Sequence, residues 1–147
     1  MINMLDEKDL KILEILKKDS RTAFTEIAKM LNVSEATVRK RVKNLEEKNV
    51  IVGYTIKINK SKLGYNTEAY VGLDVEPSQF LDAAKKMTEI EEVKYVATST
   101  GDHMIMTEIV TKDGKELMRI ISEKIGKIKG VHRICPAIIL EVLKDEC

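Results

Sequence analysis

Six side chains able to recognise an anion or a base edge crowd one ten-residue stretch, Ser34 to Lys43. They are the hydroxyls of Ser34 and Thr37 and the cations Arg39, Lys40, Arg41 and Lys43. Guanidinium and ammonium groups donate to phosphate oxygens and to the O6/N7 edge of guanine, and hydroxyls donate or accept at either kind of site. Bond-making chemistry has no counterpart here. The chain shows no phosphate-cradling glycine loop and no nucleophile motif. Cys135, Cys147, His103 and His132 lack ligand spacing, so no metal and no cofactor is expected. Cys135 reads as a small buried apolar residue and Cys147 as a free thiol in a tail.

Those six residues need a rigid element to present them, and the pattern supplies one. Ser34 is a helix cap, and Val38, Val42 and Leu45 recur at spacings of four and three, which makes one buried stripe. At about 100° per residue, Ala36, Lys40, Lys43 and Glu47 point away from that stripe, with Thr37 and Arg39 on the flanks. Arg41 lies nearer the core edge. Base contacts come from the first turns of such a helix, so Ser34, Thr37, Lys40 and Arg39 are the candidate readers. Arg41, Lys43 and Arg21 are the candidate phosphate anchors. Glu35 suits the positive end of the helix dipole.

Two helices should precede this one. Asp6 caps the first, with Leu10, Ile12, Leu13, Ile15 and Leu16 as its apolar positions. The second covers residues 25–31, burying Ile27, Ala28 and Leu31; Ala23 is a weak cap for it, and Asn32-Val33 makes the turn. Asn49 is a left-handed stop for the third. Helix, tight turn and capped basic helix is the build of a helix-turn-helix.

From residue 51 the period changes. Tyr54, Ile56 and Ile58 alternate with polar residues, which predicts a linker strand, and Leu63-Gly64 marks a boundary. Ala69, Val71, Leu73 and Val75 predict a strand. Pro77 opens a helix with Phe80, Leu81, Ala84 and Met87 inward. Strands follow at 93–99 and 103–111 around a Gly101-Asp102 turn. A helix from about Asp113 carries Leu117, Ile120, Ile121, Ile125 and Ile128, and a last strand runs from Val131 to Leu143, interrupted by Pro136. Ile90-Glu-Glu-Val93 and Ile128-Lys-Gly-Val131 occupy the same corner of each half. The fold class is therefore two domains. Residues 1–50 form an all-α helix-turn-helix domain, 51–64 a linker strand, and 65–147 an α+β ferredoxin-like (βαββαβ) domain. With both helices on one side, the sheet keeps an uncovered face, expected to carry Tyr70, Val96, Ile105, Thr107 and Ile109, or the opposite set if the register slips by one. Self-association is the economical cover for it.

Net charge is +1, but it is unevenly spread. Residues 1–64 hold 14 Lys and Arg against 9 Asp and Glu, and residues 65–147 hold 11 against 15. A basic half that meets an anion and an acidic half with another task fits this split. No apolar run approaches the roughly 18 residues of a membrane helix, and the charged N-terminus is not a signal peptide, so a cytoplasmic place is expected.

The chain resembles the leucine-responsive regulatory protein / AsnC (feast/famine) family of transcription regulators. Matching residues include Leu5-Asp6, Asp9, Ile12-Leu13, Asp19-Ser-Arg21, Glu26-Ile-Ala28, Ser34, Val38, Arg41-Val42, Leu45-Glu46, Val50-Ile-Val-Gly-Tyr54, Leu63-Gly64 and Thr100-Gly-Asp102. The resemblance implies a DNA-binding regulator acting on a palindromic operator as a dimer, with tetramers or octamers beyond it and the transcription machinery as a further partner. It also implies an amino-acid effector site at Thr100, Gly101, Asp102 and position 104. Met104 stands where the family pattern has a second acidic residue, and Met cannot pair with an ammonium. A weakly bound or more apolar effector, or none, is then expected. The alternative function is a small-molecule-binding module whose helical domain contacts protein; an enzyme lacks any supporting constellation.

Overall fold

The computed structural model describes residues 5–146, and Cys147 lies outside them. The chain divides between Lys57 and Ile58, within the expected linker.

The first unit begins with helix α1, Glu7–Lys18. Asp6 caps it: its carboxylate accepts the Asp9 N–H at 2.9 Å, and the Asp9 carboxylate accepts the Asp6 N–H at 3.3 Å. This reciprocal box satisfies two donors that a helix start leaves orphaned. Ile12 and Leu16 are buried, whereas Leu10 is half exposed. Position 10 lies about 200° around the helix from position 12, so it cannot share that face. Helix α2, Phe24–Leu31, starts at Ala23 with no side-chain cap and stops at Asn32, which takes the left-handed conformation (φ 52°). Helix α3, Glu35–Glu47, is capped by Ser34, whose hydroxyl accepts the Thr37 N–H. Asn49, also left-handed, turns the chain back so that the Val50 and Ile51 N–H groups donate to the Leu45 carbonyl. Ile12, Leu16, Ile27, Ala28, Val38, Val42 and Leu45 close the core. Each fully buried Ile or Leu adds about 1.5–3 kcal/mol.

The linker is where the structure departs from expectation. Residues 52–59 form no strand with any described part of this chain. Alternating residues make a strand only when a ladder partner takes the backbone groups, and this segment has none. Its apolar side chains stay outside, Val52 at 89% and Ile56 at 75% exposure. Tyr54 is pinned instead, its hydroxyl donating to Glu46 Oε1 at 2.6 Å.

The second unit opens with a 3₁₀ turn, Lys60–Leu63, followed by strand β1, Thr67–Val75. Helix α4 (Phe80–Thr88), strands β2 (Val93–Thr98) and β3 (Ile105–Thr111), helix α5 (Gly114–Glu123) and strand β4 (Val131–Ile138) complete it. The sheet is antiparallel with order β2-β3-β1-β4, as the βαββαβ succession requires. Phe80, Ala83, Ala84 and Met87 face the core at spacings of three and four, leaving Leu81 outside, contrary to expectation. Helix α5 ends at Glu123, and Ile125 reaches the core from a separate 3₁₀ turn. The faint repeat has a structural meaning: Val93 N–H donates to the Ile90 carbonyl at 3.1 Å and Val131 N–H to that of Ile128 at 3.2 Å, the same corner twice. Pro136 sits within β4, which an edge strand tolerates because its missing donor can face solvent. Strand β4 stops at Ile138, short of the expected Leu143.

Register corrects the uncovered face. Leu73 pairs with Ile105, Val71 with Thr107 and Ala69 with Ile109, and all six are buried beneath the helices. The Thr107 hydroxyl is satisfied by donating to the Val71 carbonyl. The open face carries Tyr70, Met106, Glu108, Ala97 and Cys135 instead. Lys60 Nζ bridges Glu68 and Glu108 there, at 2.9 and 2.8 Å.

Burial and the Glu46 hydrogen bond push the Tyr54 phenol up to about 12 from its ordinary value of 10. Because the folded value is raised, the contact stabilises the unit fully below pH 10 and is lost as pH rises through 12. The difference in tyrosinate absorbance between the native protein and Tyr54→Phe should isolate a phenol ionising near pH 12. Ionisation near pH 10 would show that the Glu46 contact does not form.

Candidate nucleic-acid interface

Helix α3 is oriented by what it buries. Val38, Val42 and Leu45 are sealed in the core, so Ala36, Lys40, Lys43, Asn44 and Glu47 face outward. At its N-terminus the Ser34 and Thr37 hydroxyls lie 2.8 Å apart, and the Thr37 N–H donates to Ser34 Oγ at 3.1 Å. Both hydroxyls therefore serve the cap while remaining at the surface of the first turn. Lys40 is exposed and engages no partner among the described residues. Lys43 lies 3.7 Å from Glu47, an exposed pairing worth little against a polyanion. Arg21 uses its backbone N–H on Asp19 at 2.9 Å, and its side chain is exposed.

The two remaining arginines both have partners within the first unit. Arg39 pairs with Glu35 one turn earlier, and its guanidinium sits 5.5 Å from the centroid of the Phe24 ring. Cation–π contact of this kind holds a long side chain in one place. Arg41, expected to anchor a phosphate, points the other way. Its Nη1 donates to Asp6 Oδ2 at 2.7 Å and to Asp9 Oδ1 at 2.9 Å. The Asp9 N–H, and after it the Arg41 guanidinium, hold the Asp6 carboxyl below the usual carboxylate range. The two carboxylates raise the Arg41 guanidinium further. Phe24, Asp6 and Asp9 were absent from the sequence-derived site because their roles are tertiary. Asn44 was missed although it follows Lys40 by one turn, a spacing that places it on the same exposed face.

In the second unit, the turn Thr100-Gly101-Asp102 is exposed, with Gly101 at a positive φ of 116°. Met104 does not join Asp102 at the tip. Its side chain packs on the buried cluster and its N–H donates to the Leu73 carbonyl. Position 104 is thus partly buried against the core rather than carried at the tip of the turn. His103 lies across β1 over Gly72, with Nδ1 3.2 Å from Asp74 Oδ1, while Arg133 Nη1 approaches Asp74 Oδ2 at 3.6 Å. Surface depressions of about 380 Å³ beside Lys86 and Lys124 and about 290 Å³ beside Lys112 and Arg119 do not include this turn. Among the described residues no group of three His, Cys, Asp or Glu is placed to hold a metal, and no helix is long and apolar enough to cross a membrane.

Residues 5–52 match the model of a winged helix-turn-helix DNA-binding domain, and residues 68–147 that of the Lrp/AsnC ligand binding domain. The HTH-type transcriptional regulator LrpA of Pyrococcus abyssi is 58% identical over 141 residues, covering 96% of this chain and all of the relative. The regulator Ptr1 of Methanocaldococcus jannaschii is 37% identical, covering 97% and 96%. Among solved structures, E. coli AsnC superposes with a TM-score of 0.92 at 26% identity, covering 98% of this chain and 97% of its own.

The approach of His103 to β1 gives a test of this geometry. A Cβ at Gly72 would stand 2.3 Å from His103 Cδ2, so the ring must leave Asp74. Gly72→Ala should cost about 1–3 kcal/mol in urea unfolding, as crowding into a packed site does. In the His103→Ala background the same substitution should cost much less; equal costs would place the ring elsewhere.

Proposed function

The chain belongs to the Lrp/AsnC family of transcription regulators, and on that premise we propose how its residues divide the work on DNA. It is a DNA-binding regulator of transcription and not an enzyme. Helix α3 enters the major groove. Ser34, Thr37, Arg39 and Lys40 face the bases, and Lys43 and Arg21 hold phosphates. The single observation that carries this division is Lys40: an exposed cation in the first half of a capped helix, with no partner among the described residues. Arg39 reaches outward from the Phe24 ring, which limits its wandering.

Two copies act together. One helix-turn-helix covers too little DNA for tight specific binding, and the second unit offers a sheet face with Tyr70, Tyr95 and Met106 left uncovered by its helices. The exposed side chains of Val52, Tyr54, Ile56 and Ile58 add more apolar surface. A two-fold dimer places its half-sites about one helical turn apart on an imperfect palindrome, and further assembly to tetramers or octamers uses surface beyond that contact. The match of residues 68–147 to a ligand-binding domain supports control by a small molecule. We assign it to the turn Thr100-Gly101-Asp102, where Asp102 is exposed and free to pair with an ammonium. With Met104 packed against the core, that site has one carboxylate rather than two. The cytoplasm is the setting this function requires.

Lys40→Ala should weaken binding to a duplex selected from a random pool by about 1–3 kcal/mol and relax preference at one position per half-site. Lys43→Ala should weaken every duplex alike and lower the salt slope by about one. Equal affinity of the unmodified protein for selected and random duplexes would remove α3 as the reader. Light scattering at micromolar concentration should give at least a dimer mass, and a monomer would refute the two-fold arrangement.

A further inference from the structure

We propose that Arg41, Asp6 and Asp9 form a positioning clamp that sets the rotation of α3 against α1, and that Arg41 makes no phosphate contact. The inference rests on α3 being the DNA-reading helix. Three observations carry it. First, one nitrogen, Nη1, reaches both carboxylates, 35 and 32 residues away in sequence. Second, its Asp9 arm is withdrawn from solvent: side-chain exposure is 27% for Arg41 and 14% for Asp9, against 53% for Asp6. Arg41 Nε is buried with no hydrogen-bond partner among the described residues, a position no phosphate oxygen can reach. Third, one guanidinium between two carboxylates leaves a cluster of net charge −1, which repels a polyanion.

Its mechanical role follows from what else holds α3. Val38, Val42 and Leu45 make apolar contacts, which favour burial but carry little direction. Charge-assisted hydrogen bonds are directional. The anchor at the other end is stiff as well, because Asp6 and Asp9 are joined to each other through the capping box of α1. Arg41 adjoins Lys40 in sequence and precedes Lys43 by two residues, so the angle of the clamp fixes where those two ammonium groups point.

The decisive variant is Asp9→Asn, which keeps an acceptor for the Asp6 N–H and removes the charge. It is compared with Arg41→Lys and Arg41→Gln in the full chain, by fluorescence anisotropy on a selected duplex at several salt concentrations. Circular dichroism fixes a temperature at which every variant is fully folded. A clamp predicts that Asp9→Asn and Arg41→Gln each weaken selective binding roughly tenfold, about 1.4 kcal/mol, with the salt slope unchanged. Arg41→Lys should recover most of the affinity, since one charged nitrogen suffices for both carboxylates. A phosphate contact predicts the opposite sign: Asp9→Asn would tighten binding by removing a repelling charge, and Arg41→Gln would lower the slope by about one. Either result overturns the clamp. So does a lowered melting temperature with unchanged affinity, which would make the contact a stabiliser alone. Lys40→Ala, run alongside, separates these outcomes from a failure of the α3 assignment, since it should lose affinity whatever Arg41 does.

Discussion

Burial of one stripe of α3 is the constraint on which the DNA-facing surface depends. Val38, Val42 and Leu45 are almost wholly excluded from solvent. A helix that must bury three such residues turns the opposite side outward, and directional contacts then set its finer rotation. Lys40, Lys43 and Asn44 are exposed because they lie opposite that stripe, and the Ser34 cap fixes the point at which the helix begins. Chemistry at the surface is thus a consequence of packing in the core. Polar contacts refine the placement: Arg39 rests on Phe24, and Arg41 is drawn back to the start of α1.

The second unit obeys a similar economy with a different result. Four strands have two faces, and two helices can cover only one of them. Ala69, Val71, Leu73 and Val75 meet Ile105 and Ile109 beneath the helices and form the core. The other face is mixed in character. Tyr70 and Met106 share it with Glu68 and Glu108, which Lys60 bridges. Hydrogen bonds to Glu108 and Glu68 outweigh the desolvation that would otherwise lower the Lys60 pKa, so the ammonium stays charged where it bridges them.

Local pattern determined most of the elements and the function class. Period, caps and turn residues mark α1, α2 and α3, the cap at Ser34, the turn at Asn32-Val33, the left-handed stop at Asn49, and the buried face of β1. Each of these depends on residues within a few positions of one another, and such information survives in the order of the chain. Helix α3, with its exposed Lys40 and Lys43, was legible for that reason.

Contacts between distant residues decided the rest. Whether Ile105 or Met106 faces the helices depends on β3 pairing with β1 at one offset and not the next, and alternation alone is blind to that choice. The pattern at 52–58 asks for a strand, but a strand exists only where a partner supplies the ladder, and no described segment of the chain does so. Arg41 looks like a phosphate anchor among its sequence neighbours and is a partner of Asp6 and Asp9 in space. Met104 looks like a gap in a binding site, and its side chain packs against the core while staying partly exposed. In each instance the physical reason is the same: amino-acid type fixes what a side chain can do, and only the folded neighbours fix what it meets.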